Sequence, residues 1–121
     1  VLHSLSNKRV NGVFVEPLAA FLQESQPASL VGIRLRSSPE DRQKVIREAK
    51  RLVRKTVPFD LAFDESDTTQ LYCAELFGYI FKTVFGKDLL EEKLPFLNQE
   101  VIRMRNFFDP KDFEIQFNQF D

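Results

Sequence analysis

The sequence predicts an α+β domain: a small antiparallel sheet or partial barrel packed against a basic helix and a later helix that carries the one cysteine. Three observations predict it. Short alternating apolar segments crowd the first 36 residues, and two amphipathic stretches at helical spacing follow them. No internal repeat, low-complexity tract or linker interrupts the series. A chain of 121 residues supports one core, so residues 1–121 are read as a single domain.

Residues 1–5 and 10–16 read as two strands joined by the polar turn Ser6-Asn7-Lys8-Arg9, with Gly12 a candidate bulge. Glu16-Pro17 ends the second strand, and residues 18–22 form a short helix before the loop that Pro27 closes. In residues 30–36, Val31, Ile33 and Leu35 alternate with Gly32, Arg34 and Arg36, which marks a strand with one wet face.

Ser38-Pro39-Glu40-Asp41 is a helix start with a capping hydroxyl, a proline at the first helical position and acids at the positive end of the dipole. Val45, Ile46, Ala49, Leu52 and Val53 then make one apolar stripe, while Arg42, Lys44, Arg47, Lys50, Arg51 and Arg54 fill the opposite face. That face is either solvated or a contact for an anionic polymer or lipid surface. Val57-Pro58-Phe59-Asp60 breaks the helix. Asp64-Glu65-Ser66-Asp67 lacks the central glycine and closing glutamate of a calcium loop and is rejected as one.

From Tyr72 to Phe85, Cys73, Leu76, Phe77, Ile80 and Val84 share a helical face, which would point the thiol toward the body of the protein; Gly86 ends the helix. A further helix is expected around residues 99–107. The tail from Phe107 to Phe117 alternates aromatic and polar residues and reads as an extended strap on the core, or as a groove or subunit contact.

Composition narrows the function classes. A net charge of −1 gives no global case for nucleic acid, and no apolar run approaches the roughly 20 residues of a spanning helix. One cysteine excludes an intrachain disulfide framework and a cysteine-based zinc site, and no cofactor is called for. The thiol itself has two readings, an inert core residue or a nucleophile. A free thiol with pKa near 8.5 is only about 3% thiolate at pH 7. The first turn of a helix favours the anion, and its N–H groups can hold an oxyanion at about 2.7–4 kcal/mol per donor. His3, the only imidazole, is the candidate partner.

The string Tyr72-Cys73-Ala74-Glu75-Leu76 resembles the Tyr-Cys-(small)-Glu-Leu signature of the YiiX-like group, circularly permuted NlpC-type cysteine hydrolases with a papain-like fold. Pro58-Phe59-Asp60-Leu61-Ala62-Phe63 is similar to that group's Tyr-Asp-x-x-Phe segment, with Phe59 in place of tyrosine. Val13-Phe14-Val15-Glu16-Pro17-Leu18-Ala19-Ala20-Phe21-Leu22 resembles its strand followed by a Pro-Leu-x-x-Phe-Leu turn. The resemblance covers roughly residues 1–85, a permuted core of about 1–86, and leaves the segment 87–121 without a counterpart.

The resemblance implies a cysteine amidase or peptidase acting through an acyl-enzyme on peptide-like substrates such as bacterial cell-wall stem peptides, in the bacterial envelope or cytoplasm. Cys73 takes the nucleophile position and His3 that of the third triad member, which orients the base or acts as the base itself. Tyr72 is a possible oxyanion neighbour, and Glu75, two residues along the helix, is structural. The strand that bears the base histidine in that group has no match, and Val1 starting within a strand suggests that it lies upstream. Relatives resembling lecithin:retinol acyltransferase imply an alternative, a lipid acyl substrate. A non-catalytic binding or assembly module is the third reading. The oligomeric state is open.

Overall fold

The computed structural model describes residues 1–64, 67–86, 91–94, 99–102 and 104–119, with backbone only for 91–94, 99–102 and 104. It is an α+β arrangement of three two-stranded antiparallel sheets and three α-helices among the described residues. Strands β1 (Leu2–Ser6) and β2 (Asn11–Val15) form a hairpin in register Leu2↔Val15 to Ser6↔Asn11. Asn7 makes the turn: its side-chain oxygen accepts the N–H groups of Arg9 at 2.8 Å and Val10 at 2.9 Å.

Gly12 interrupts no register, so it is not the expected bulge. It is a point of close approach. Its φ is +128°, and a Cβ there would lie 2.2 Å from the Val57 carbonyl oxygen, which accepts the Val13 N–H at 2.9 Å. The segment after the second helix therefore runs along the outer edge of β2.

Helix α1 (Leu18–Ser25) starts at Pro17 and ends at Gln26 in the left-handed region. Strand β3 (Leu30–Leu35) leads to α2 (Pro39–Arg54), where the Ser38 hydroxyl accepts the Asp41 N–H at 3.1 Å, as its cap position predicts. Leu52, 2% exposed, is the buried centre of α2. Arg47, Lys50 and Arg54 are exposed, while Arg51 holds Glu48 with two hydrogen bonds.

Helix α3 (Cys73–Phe85) is the hub, packed on α2 and β1 and closed by Gly86 at φ +71°. Leu76, Ile80 and Phe81 join Val13, Leu52, Val57, Leu71, Phe107 and Phe113 in the core. Fully burying one such side chain stabilises by about 1.5–3 kcal/mol. Leu71 and Leu76, both 0% exposed, bracket the cysteine.

The expected helix at 99–107 does not form. Strands β4 (Glu91–Leu94) and β5 (Gln99–Ile102) pair instead, and one 3-10 turn follows at Met104–Phe108. Adjacent β-branched Val101 and Ile102 suit a ladder, and β4 supplies a partner that no local pattern reveals. Strand β6 (Phe113–Gln119) runs antiparallel to β3, with a bulge at Gly32/Ile33. The tail is thus an extended strap, and its Phe107 and Phe113 are core residues. The Glu65-Ser66 half of the rejected calcium loop lies outside the described residues.

Candidate active site

Three hydrogen bonds place Cys73. Leu71 N–H donates to the Pro58 carbonyl at 3.0 Å, and the Ser4 hydroxyl donates to the Leu71 carbonyl at 2.6 Å. The Glu75 carboxylate accepts the Tyr72 N–H at 3.1 Å and closes the first turn of α3 on itself. The chain entering α3 is therefore tied to β1 on one side and to the 57–60 segment on the other. That segment is itself built on Asp60, 2% exposed, whose carboxylate accepts the N–H groups of Ala62 at 2.8 Å and Asp64 at 2.6 Å.

Cys73 is the first residue of α3, where N–H groups lack intrahelical acceptors. Its side chain is exposed rather than turned into the core. The helical face grouping it with Leu76 and Ile80 is split: Leu76 and Ile80 are core residues, while Cys73 and Phe77 are exposed. Cys73 and Phe77 instead border a cleft of about 820 Å³ whose other walls are Ile33 and Leu35 of β3, Phe81 of α3, and the aromatic group Phe107, Phe108 and Phe113. Among the described residues, no charged side chain lines it, and the thiol is the one polar side chain there.

His3 does not share this cleft. Neighbouring strand residues face opposite sides, so with Ser4 turned to Leu71, His3 lies on the other side of β1, against Phe14 and Phe21. Its ring lies 4.4 Å from Phe14 and 5.2 Å edge-on from Phe21, centroid to centroid. Its Nε2 is 2.6 Å from Glu16 Oε1. The structure thus places the nucleophile candidate and the imidazole in separate surroundings.

Tyr72 is 8% exposed, packs its ring on Phe63 at 5.2 Å, and does not line the cleft. Glu75, 5% exposed, is structural through its Tyr72 contact. Sequence reasoning missed Ser4 and Glu16. A lone hydroxyl in an apolar strand, and a carboxylate two residues beyond the residue paired with His3, were the available signals.

No protein-family model matches the chain, and no curated protein matches it. Among solved structures it is similar to the crystal structure of metalloprotein YiiX from Escherichia coli O157:H7, at 19% identity with a TM-score of 0.76. The match covers 93% of this chain and 74% of YiiX, so it reaches into the segment after Lys87. At that identity the likeness is one of fold. YiiX is described as a metalloprotein, yet among the described residues here no group of three or more His, Cys, Asp or Glu side chains could hold a metal ion. The described side chains do not fit a metal centre. No described helix is long and apolar enough to cross a membrane.

Proposed function

We propose that the chain carries the nucleophile of a permuted papain-like cysteine acyl-transfer enzyme, with Cys73 attacking a carbonyl carbon. The observation that carries this reading is the position of Cys73, exposed at the first residue of α3 and opening into a cleft. The order of strands, basic helix and cysteine helix, with the YiiX-like fold, supports it. The thiolate adds to the carbonyl, the oxyanion sits against first-turn N–H groups, and the leaving group departs with a proton from a histidine. Water then resolves the thioester. His3 serves this reading as the third member, behind a base histidine that the resemblance puts on a strand N-terminal to β1.

The cleft favours one substrate class over the other. Cell-wall stem peptides carry carboxylates, and the described lining of the cleft offers them no cationic side chain as counter-charge. An acyl chain gains about 0.8 kcal/mol for each methylene buried there. The lipid-acyl reading therefore ranks above the peptide reading.

Acylation of Cys73 by p-nitrophenyl esters tests both parts. The burst rate is expected to rise at least tenfold from acetyl to decanoyl and to vanish in Cys73→Ala. A thiol that reacts only after denaturation would overturn the nucleophile assignment and leave a binding module. A preference for a glutamyl peptide thioester over decanoyl would restore the peptide reading.

A further inference from the structure

The hairpin that carries His3 also gives its ring a carboxylate partner. Glu16 follows β2 directly, and the proline after it confines Glu16 to extended backbone. Hairpin pairing sets His3 opposite Phe14, which brings the Glu16 carboxylate to 2.6 Å from His3 Nε2. Only 17% of the His3 side chain and 15% of the Glu16 side chain are exposed. Phe14 lies against the imidazole and Phe21 meets it edge-on, so the ring plane is constrained from two directions.

A carboxylate only accepts hydrogen bonds. The nitrogen facing Glu16 must therefore carry the proton, and in the neutral ring the lone pair is left on Nδ1. We propose that Glu16 is a positioning residue that fixes His3 as the Nε2–H tautomer and makes Nδ1 its working atom, an acceptor for an N–H or O–H donor. This rests on the reading of His3 as third triad member and specifies how it would act. It orients a donor through Nδ1 and does not take a proton from the Cys73 thiol through Nε2. The arrangement parallels the carboxylates that set histidine tautomers elsewhere, where the partner of one ring nitrogen decides the chemistry of the other.

The chain has one histidine, so histidine-labelled protein gives a single unambiguous imidazole pattern in long-range proton–nitrogen correlation spectra. At alkaline pH, where an imidazole is neutral, a single Nε2–H tautomer is expected. Glu16→Ala is expected to produce a mixture with a detectable Nδ1–H form. Glu16→Gln, whose amide oxygen can still accept, is expected to restore the single tautomer. A residue that merely shapes the hairpin would shift the amide spectrum in Glu16→Ala and leave the tautomer unchanged, which would overturn the proposal. If the alanine variant fails to fold, the wild-type spectrum decides: an Nδ1–H ring or a tautomer mixture overturns it. Cys73 plays no part in the measurement. A failed nucleophile assignment would leave the tautomer result standing, and a failed tautomer result would leave the thiol-acylation assay untouched.

Discussion

The Ser4 hydroxyl donates to the Leu71 carbonyl at 2.6 Å, across 67 residues of chain, and ties β1 to the turn that presents Cys73. Ser4 is 2% exposed and Leu71 0%, so water cannot replace the bond without opening the core. Ser4→Ala leaves a buried carbonyl short of a donor and is expected to cost about 1–3 kcal/mol. Chemical denaturation measures the loss, and iodoacetamide labelling of native protein follows the thiol. An unchanged midpoint would show that the bond contributes nothing net.

Gly12 admits no side chain. A Cβ would meet the Val57 carbonyl oxygen at 2.2 Å, in a backbone conformation that L-residues rarely adopt. Gly12→Ala is expected to destabilise by at least about 1–3 kcal/mol from backbone strain alone, with the steric clash in addition. Thermal unfolding would reveal it as a lowered Tm. Wild-type stability in this variant would mean that the 57–60 segment does not run against β2.

The Glu48–Arg51 pair gives α2 a pH-dependent increment. The hydrogen bond from Arg51 chiefly holds the Glu48 carboxyl below its ordinary value of 4.5, with the charges of Arg51 and Lys55 adding to it and partial burial opposing it. A depressed folded-state value means stability present above the unfolded pKa and lost as pH falls through the folded one. The pair is part-buried at the surface, where solvent screening keeps the increment under about 1 kcal/mol. Glu48→Gln should therefore be slightly less stable than wild type at pH 7, with the gap closing in acid below pH 4.5. A gap that persists at low pH would point to packing as its source.

Phe77 offers a way to separate cleft from thiol. It is 40% exposed and borders the cleft one turn along α3 from Cys73. Phe77→Arg should slow acylation of Cys73 by a decanoyl ester about tenfold or more while leaving the acetyl ester nearly unchanged. Equal slowing of both esters would assign Phe77 to the geometry of the helix rather than to the acyl chain.

Local chemistry made much of this fold legible from sequence. Ser38-Pro39 announces α2, Gly86 stops α3, and the alternation of residues 30–36 marks β3, because each signal lies within a few residues of the element it controls. The turn at Asn7 is legible for the same reason. What escaped depends on partners distant in sequence. The 99–102 segment becomes a strand only because β4 lies beside it, and Gly12 is constrained by Val57, 45 positions later. At the site, the address of Cys73 at a helix start was readable and its exposure was not. Leu76 and Ile80 pack into the core while Cys73 and Phe77 stay at its edge, a division set by how α3 docks on β1 and α2 rather than by its periodicity. The His3–Glu16 contact follows from hairpin register, which the turn alone hints at.

The pairing of β3 with β6 bears on how the chain acquires its structure over time. Leu30 is opposite Gln119, and Phe113 completes a core whose other members lie as far back as Val13. During synthesis, β3 therefore emerges long before the strand that covers it. The loop to be closed spans most of the chain, and such distant closures slow folding. An apolar strand edge waits uncovered meanwhile, which is the condition under which nascent chains associate wrongly. Refolding of this protein should be limited by the docking of β6, and a chain cut before Phe113 should collapse around α3 without reaching a cooperative transition.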